Sequence, residues 1–162
     1  MEWKPQRMIR YYNFDIVFAE IPDEVTLAIN ITGCPYRCEG CHSPHLREDR
    51  GERLDADALA ALLERYGNGI TCLCFMGGDG DPQGIASLAA EVRHLAPRLR
   101  IGWYSGRTDL PESVAAATFD YIKLGPYDAA RGALTSPETN QRMYRVDRNG
   151  TMEDITYRFR RR

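Results

Sequence analysis

Residues 25–45 read VTLAINITGCPYRCEGCHSPH. The opening run, Val25 to Ile31, is apolar almost throughout and reads as a strand buried on both faces. Its end delivers Cys34, Cys38 and Cys41, spaced C-x3-C-x2-C and accounting for three of the five cysteines. Three thiolates this close together do not complete a structural zinc site or a fully ligated iron-sulfur cluster, since both take four protein ligands. Either His42 or His45 closes a Cys3His set, or one metal position is left open to another ligand, which is the catalytic arrangement. Pro35 stiffens the loop, and Gly33 and Gly40 admit close approaches that a side chain would block.

Outward from this loop, the chain alternates. Asp15 to Glu20 reads as a short leading strand that Pro22 ends. Asp55 to Tyr66 places Leu59, Leu62, Leu63 and Tyr66 at helical spacing behind an Asp55 cap. A strand follows over Ile70 to Met76, and then a helix marked by Ile85, Leu88, Ala89, Val92 and Leu95, which Pro97 stops. LRIGWY is a third strand, a short helix begins near Pro111, and DYIKLG is a fourth strand. Beyond Pro126 the pattern loosens, with NQRMYRV and DITYRFR as candidates for a last strand or two. Alternation of this kind predicts a mostly parallel sheet with right-handed crossovers, and the chain is short of the roughly 200 residues of a closed barrel. The expectation is therefore an α/β fold, an open partial (βα) barrel in a single domain over 1–162, with its core at about 10–146.

In parallel α/β sheets ligands bind beyond the C-terminal ends of the strands. Four predicted strands end at Cys34 to His42, at Gly77, Gly78 and Asp79, at Ser105 and Gly106, and at Lys123 to Gly125. That convergence predicts one site on one rim. Gly77 and Gly78 expose backbone polar groups there, and Lys123, at the end of a buried strand, calls for an anionic partner.

The cysteine spacing resembles the signature of radical S-adenosylmethionine (SAM) enzymes. YYNFDIVFAEIPDEVTLAINITGCPYRCEGCHSP, MGGDGDPQ, FDYIKLGPY and TSPETNQRMYRV, in that order, are similar to the activating enzymes of anaerobic ribonucleoside-triphosphate reductases, over roughly Arg10 to Val146. The resemblance implies the radical SAM type of partial barrel and one 4Fe-4S cluster per chain held by Cys34, Cys38 and Cys41. SAM would be chelated by the fourth iron and would lie against Gly40, Cys41 and His42. Gly77 and Gly78 would grip its amino acid end, Asp79 its ammonium and Lys123 its carboxylate, with Ser105 either a further contact or the shaper of a turn. Many radical SAM enzymes carry GGE where this chain has GGD. Many also carry an aromatic residue just before the last cysteine, where this chain has Gly40, so His42 takes over the packing. The implied chemistry is reductive cleavage of SAM to methionine and a 5'-deoxyadenosyl radical, which takes a hydrogen from a glycine α-carbon of the reductase. The partners implied are that reductase and a reducing protein such as flavodoxin or ferredoxin, with a homodimer or a heterotetramer as the candidate assemblies. Asn140 and Gln141 match the family's asparagine-glutamine pair.

Two alternatives stay open. One is radical SAM chemistry on a small molecule of the deazapurine type; the other is a zinc-stabilised binding module without catalysis. Composition does not separate the activase from the small-molecule enzyme: 43% hydrophobic and 27% charged residues among 162 are ordinary for a globular protein. A formal net charge of −2 makes no case for nucleic acid. MEWKPQRMIR lacks an apolar signal core and no run approaches a membrane span, so a cytoplasmic protein is expected. Cys72 and Cys74 read as small core residues of one strand face, His94 as a surface residue facing a helix dipole, and the arginines of the tail, about 156–162, as a solvated end.

Overall fold

The computed structural model describes residues 9–32 and 51–160. Its framework is one sheet of eight strands in the order β3-β1-β2-β4-β5-β6-β7-β8. The strands are β1 (Arg10–Val17), β2 (Thr26–Ile31), β3 (Glu52–Arg53), β4 (Cys72–Met76), β5 (Arg100–Tyr104), β6 (Tyr121–Leu124), β7 (Arg142–Val146) and β8 (Met152–Asp154). Only β2, β4, β5 and β6 pair in parallel. β1 and β3 on one flank, and β7 and β8 on the other, are antiparallel.

This corrects the expected partial barrel. The sheet is mixed, and the described residues contain only two α-helices, α1 (Ala56–Tyr66) and α2 (Pro82–Leu95). The physical cause lies in the two connections that should have carried further helices. Between β5 and β6 the stretch near Pro111 has no 3.6-residue apolar period; it buries Val114 and Phe119 and forms only a 3-10 turn at Ala116–Thr118. After β6 no crossover helix forms, and the chain returns as antiparallel β7. The leading strand also begins earlier than Asp15, since β1 pairs with β2 from Tyr11↔Ile31 to Val17↔Thr26 around a bulge between Tyr11 and Asn13. Arg158 lies in a terminal 3-10 segment (Thr156–Arg160), where DITYRFR had suggested a strand, and pairs with Asp23.

The two helices form where the sequence specifies them. Asp55 caps α1 by accepting the Ala58 amide at 2.9 Å, and Leu59 and Leu62 turn inward. Asp81 caps α2 by accepting the Gly84 amide at 3.0 Å, with Pro82 in the first turn. Ile85, Leu88, Ala89 and Val92 then face the sheet. Strand alternation sorts the sheet's two faces: Leu27, Ile29, Leu73, Phe75, Ile101, Trp103, Ile122 and Leu124 join the helix-side core. Cys72, Cys74, Tyr121 and Met143 gather on the other face with Ile21, Leu134 and Ile155. Fully burying a large apolar side chain contributes about 1.5–3 kcal/mol each, so this two-sided burial fixes the register of the parallel strands, and with it the level at which each ends.

Candidate functional site

The register aligns Asn30, Met76, Tyr104 and Lys123 across the four parallel strands, so their following residues emerge at one edge. From β2 the chain continues through Thr32 toward the cysteine loop. Cys34, Cys38, Cys41, Gly40 and His42 lie outside the described residues.

Behind β4, Gly77 and Gly78 both take positive φ, +105° and +91°. Gly77 spends its polar groups within the fold: its amide donates to the Tyr104 carbonyl at 2.9 Å and its carbonyl accepts the Trp103 indole N–H at 2.8 Å. Gly78 is required sterically as well, because a Cβ there would sit 2.5 Å from Ile85 Cδ1 of α2. The loop is thereby clamped between β5 and α2.

Asp79 is buried and turned toward the end of β5. Its carboxylate accepts the Ser105 hydroxyl at 2.5 Å and the Gly106 amide at 2.8 Å. Ser105 Oγ in turn accepts the Arg107 amide at 3.0 Å. The Arg107 guanidinium donates to the Asp79 carbonyl at 3.2 Å and lies 3.9 Å from its carboxylate. Asp79 and Ser105 are thus brought together, as one bolt between two loops. The third loop joins through Arg107, whose carbonyl accepts the Gly125 amide at 2.6 Å. Arg107, three residues beyond the end of β5, is a site residue that the sequence does not single out, because its role depends on its contacts with Asp79.

Lys123 is buried, donates to the Gly125 carbonyl at 3.0 Å, and holds its ammonium 5.5 Å above the Tyr104 ring. Gly125 takes φ +108°, and a Cβ there would lie 3.1 Å from Gln141 Cα, so the chain before β7 packs directly on it. Asn140 donates to the Pro126 carbonyl at 3.0 Å, and its Oδ1 is buried without a hydrogen-bond partner among the described residues. Gln141 donates to the Gly125 carbonyl at 3.5 Å. An antiparallel strand starts where its parallel neighbour ends, so Asn140 and Gln141 reach the same edge as Gly77 to Asp79, Ser105 to Arg107 and Lys123.

Cys72 and Cys74 are fully buried in the face of the sheet away from the helices, with free thiols. Burial pushes both thiols well up, reinforced at Cys72 by Glu24 and at Cys74 by Cys72. They stay protonated and are unsuited to metal binding at neutral pH. No group of three or more His, Cys, Asp or Glu residues able to hold a metal occurs among the described residues. Cys34, Cys38 and Cys41, soft thiolate donors of the kind that suit iron and sulfide, lie outside the described residues. No helix among the described residues is long and apolar enough to cross a membrane.

Comparison with protein families gives a match over residues 25–120 to the 4Fe-4S single cluster domain. The matched stretch runs from β2 through the cysteine loop, the Gly77 to Asp79 loop and Ser105, and stops short of Lys123. Comparisons with curated proteins and with solved structures give no match. With more than half of its length matched, the chain belongs to the 4Fe-4S single cluster domain family, a family associated with iron-sulfur proteins of the radical SAM type.

Proposed function

We propose that this chain is a radical SAM activating enzyme that installs a glycyl radical in an anaerobic ribonucleoside-triphosphate reductase. The observation that carries the reading is the convergence of three strand-end loops and the start of β7 on the edge from which the three-cysteine loop departs. Cys34, Cys38 and Cys41 would hold the cluster, and bound cluster and SAM together would supply the one-electron cleavage chemistry.

The chain's own residues hold and orient. Lys123 would meet the SAM carboxylate from the floor of the rim, its position fixed by the Gly125 carbonyl and the Tyr104 ring. Asp79, with its carboxylate turned to Ser105 and Gly106, would act chiefly by setting the Gly77 to Asp79 loop at its level. Gly40, Cys41 and His42 would flank the adenosine. The buried Oδ1 of Asn140 offers an acceptor for an N–H arriving at the rim, as a glycine-bearing loop of a protein substrate would present.

The test is anaerobic reconstitution with iron and sulfide, reduction by dithionite, addition of SAM, and assay for 5'-deoxyadenosine, with Cys38→Ala as control. Cleavage that the substitution abolishes, followed by a glycyl radical signal in electron paramagnetic resonance when the reductase is added, is the expected result. A chain that holds tight zinc and leaves SAM intact overturns the catalytic reading. SAM cleavage without any radical on the reductase overturns the assignment of substrate.

A further inference from the structure

At the opposite end of the sheet, where the parallel strands begin, the described residues line an open cavity of about 960 Å³. Five arginines line it: Arg93 and Arg98 from the end of α2 and the turn after it, Arg100 opening β5, and Arg145 and Arg148 from the end of β7 and beyond. Three carboxylates stand against them, Asp120, Asp147 and Glu153.

Most of that negative charge is already committed. Asp120 accepts Arg93 at 3.1 Å and the Ile101 amide at 2.8 Å. Asp147 accepts the amides of Asn149 and Thr151, both at 2.9 Å, in the turn into β8. Arg100 is matched by Glu24 at 3.5 Å. Arg98 is likewise committed, its two terminal nitrogens donating to the carbonyls of Ile70 and Gly67. Arg145 and Arg148 are exposed and make no hydrogen bond or ion pair among the described residues, although Glu153 is the register partner of Arg145. A polar concavity with guanidinium groups in excess is built for a compact anion of multiple charge, since the planar fork matches phosphate oxygens in pairs. Its volume lies within the range of about 300–1,000 Å³ that small ligands occupy. Apolar recognition is weak by comparison: Phe119 is buried against Trp103, and the Tyr121 hydroxyl is taken by Glu24 at 2.9 Å.

We infer that this cavity binds the di- or triphosphate group of a small molecule, with Arg145 and Arg148 as the phosphate contacts. The inference is independent of the activity proposed for the rim.

Isothermal titration of the reconstituted full chain with sodium tripolyphosphate, ATP and adenosine tests it. Tripolyphosphate and ATP are expected to bind at sub-millimolar concentration, more weakly as salt is raised, and adenosine not at this site. Arg145→Gln combined with Arg148→Gln should weaken both phosphate ligands at least ten-fold, while Arg53→Gln, remote from the cavity, leaves them unchanged. Melting curves of both variants check that folding is intact. ATP tighter than tripolyphosphate makes a nucleotide the source; equal affinities make the phosphate chain the whole determinant. Absence of phosphate binding at 1 mM, or binding that the double substitution does not weaken, overturns the inference, as does displacement of tripolyphosphate by a single-stranded oligonucleotide at lower concentration.

Discussion

Replacing Asp79 separates a residue that braces the rim from one that binds a ligand. Its carboxylate holds the Ser105 hydroxyl at 2.5 Å and the Gly106 amide at 2.8 Å, with the Arg107 guanidinium 3.9 Å away. A hydrogen bond to a charged group contributes about 1.5–3 kcal/mol, and Asp79→Ala removes two while leaving a buried amide and hydroxyl unmet. The expected loss is about 3–5 kcal/mol, discounted little for solvent because the side chain is 2% exposed. With an urea slope of about 2 kcal/mol/M, the unfolding midpoint should fall by about 1.5–2.5 M. Asp79→Asn should cost about half as much: its carbonyl can keep the Gly106 amide, and its amide can donate to Ser105 Oγ, but the charge facing Arg107 is lost. Ser105→Ala should cost about 1–2 kcal/mol and be non-additive with Asp79→Ala, since the two share one bond. Urea unfolding of the three variants, followed by SAM titration of those that fold, decides the matter. An Asp79→Ala chain within 1 kcal/mol of the parent would refute the brace; near-parental stability with abolished SAM binding would make Asp79 a ligand contact instead.

Three further outcomes follow from the same geometry. Gly78→Ala should lower stability by about 2–4 kcal/mol, from its φ of +91° and the clash with Ile85, and Ile85→Ala in the same chain should recover only the clash, so full rescue in a double-mutant cycle would contradict the backbone argument. Lys123→Met, which removes the hydrogen bond to the Gly125 carbonyl, should lower SAM affinity at least ten-fold; loss of stability with intact affinity would make the lysine structural. Stability should fall as pH rises above about 9: Cys72, Cys74, Tyr104 and Tyr121 are neutral when protonated and are held above their ordinary values chiefly by burial, so the unfolded chain loses its protons first. Each such group contributes a slope of about 1.4 kcal/mol per pH unit, and melting curves from pH 8 to 10.5 should be flatter for Cys72→Ala with Cys74→Ala.

The elements that the sequence made legible are those whose own side chains decide them. Asp55 with Leu59 and Leu62, and Asp81 and Pro82 with Ile85 to Val92, carry cap and period together, and both helices form there. Cys72 to Met76 and Tyr121 to Leu124 are apolar runs too short for helices and became central parallel strands. The partial barrel does not form because only β2, β4, β5 and β6 follow the parallel alternation, while the strands on both flanks pair antiparallel. Nothing between Gly125 and Gln141 offers an apolar helical face, and backbone groups there are satisfied by local turns such as Gly132 to Asp128 at 2.8 Å. Arg107 was not legible because its role depends on Asp79, twenty-eight residues earlier in sequence.

The overturned part of the fold has a direct consequence for the site. Had a helix followed β6, the chain would have descended to the opposite end of the sheet before β7, carrying Asn140 and Gln141 away from the cysteine edge. Because β7 instead pairs antiparallel, with Leu124 opposite Arg142, its first residues start beside the last residues of β6. Lys123 and Gln141 consequently share one acceptor, the Gly125 carbonyl, and Asn140 holds the next one, on Pro126. Gly125 is the hinge of that return: its positive φ turns the chain, and its missing Cβ lets Gln141 pack 3.1 Å from where that atom would be. The rim is therefore closed on the β6 side by an antiparallel return, a route that brings residues from the two ends of a loop to one carbonyl without any further crossover.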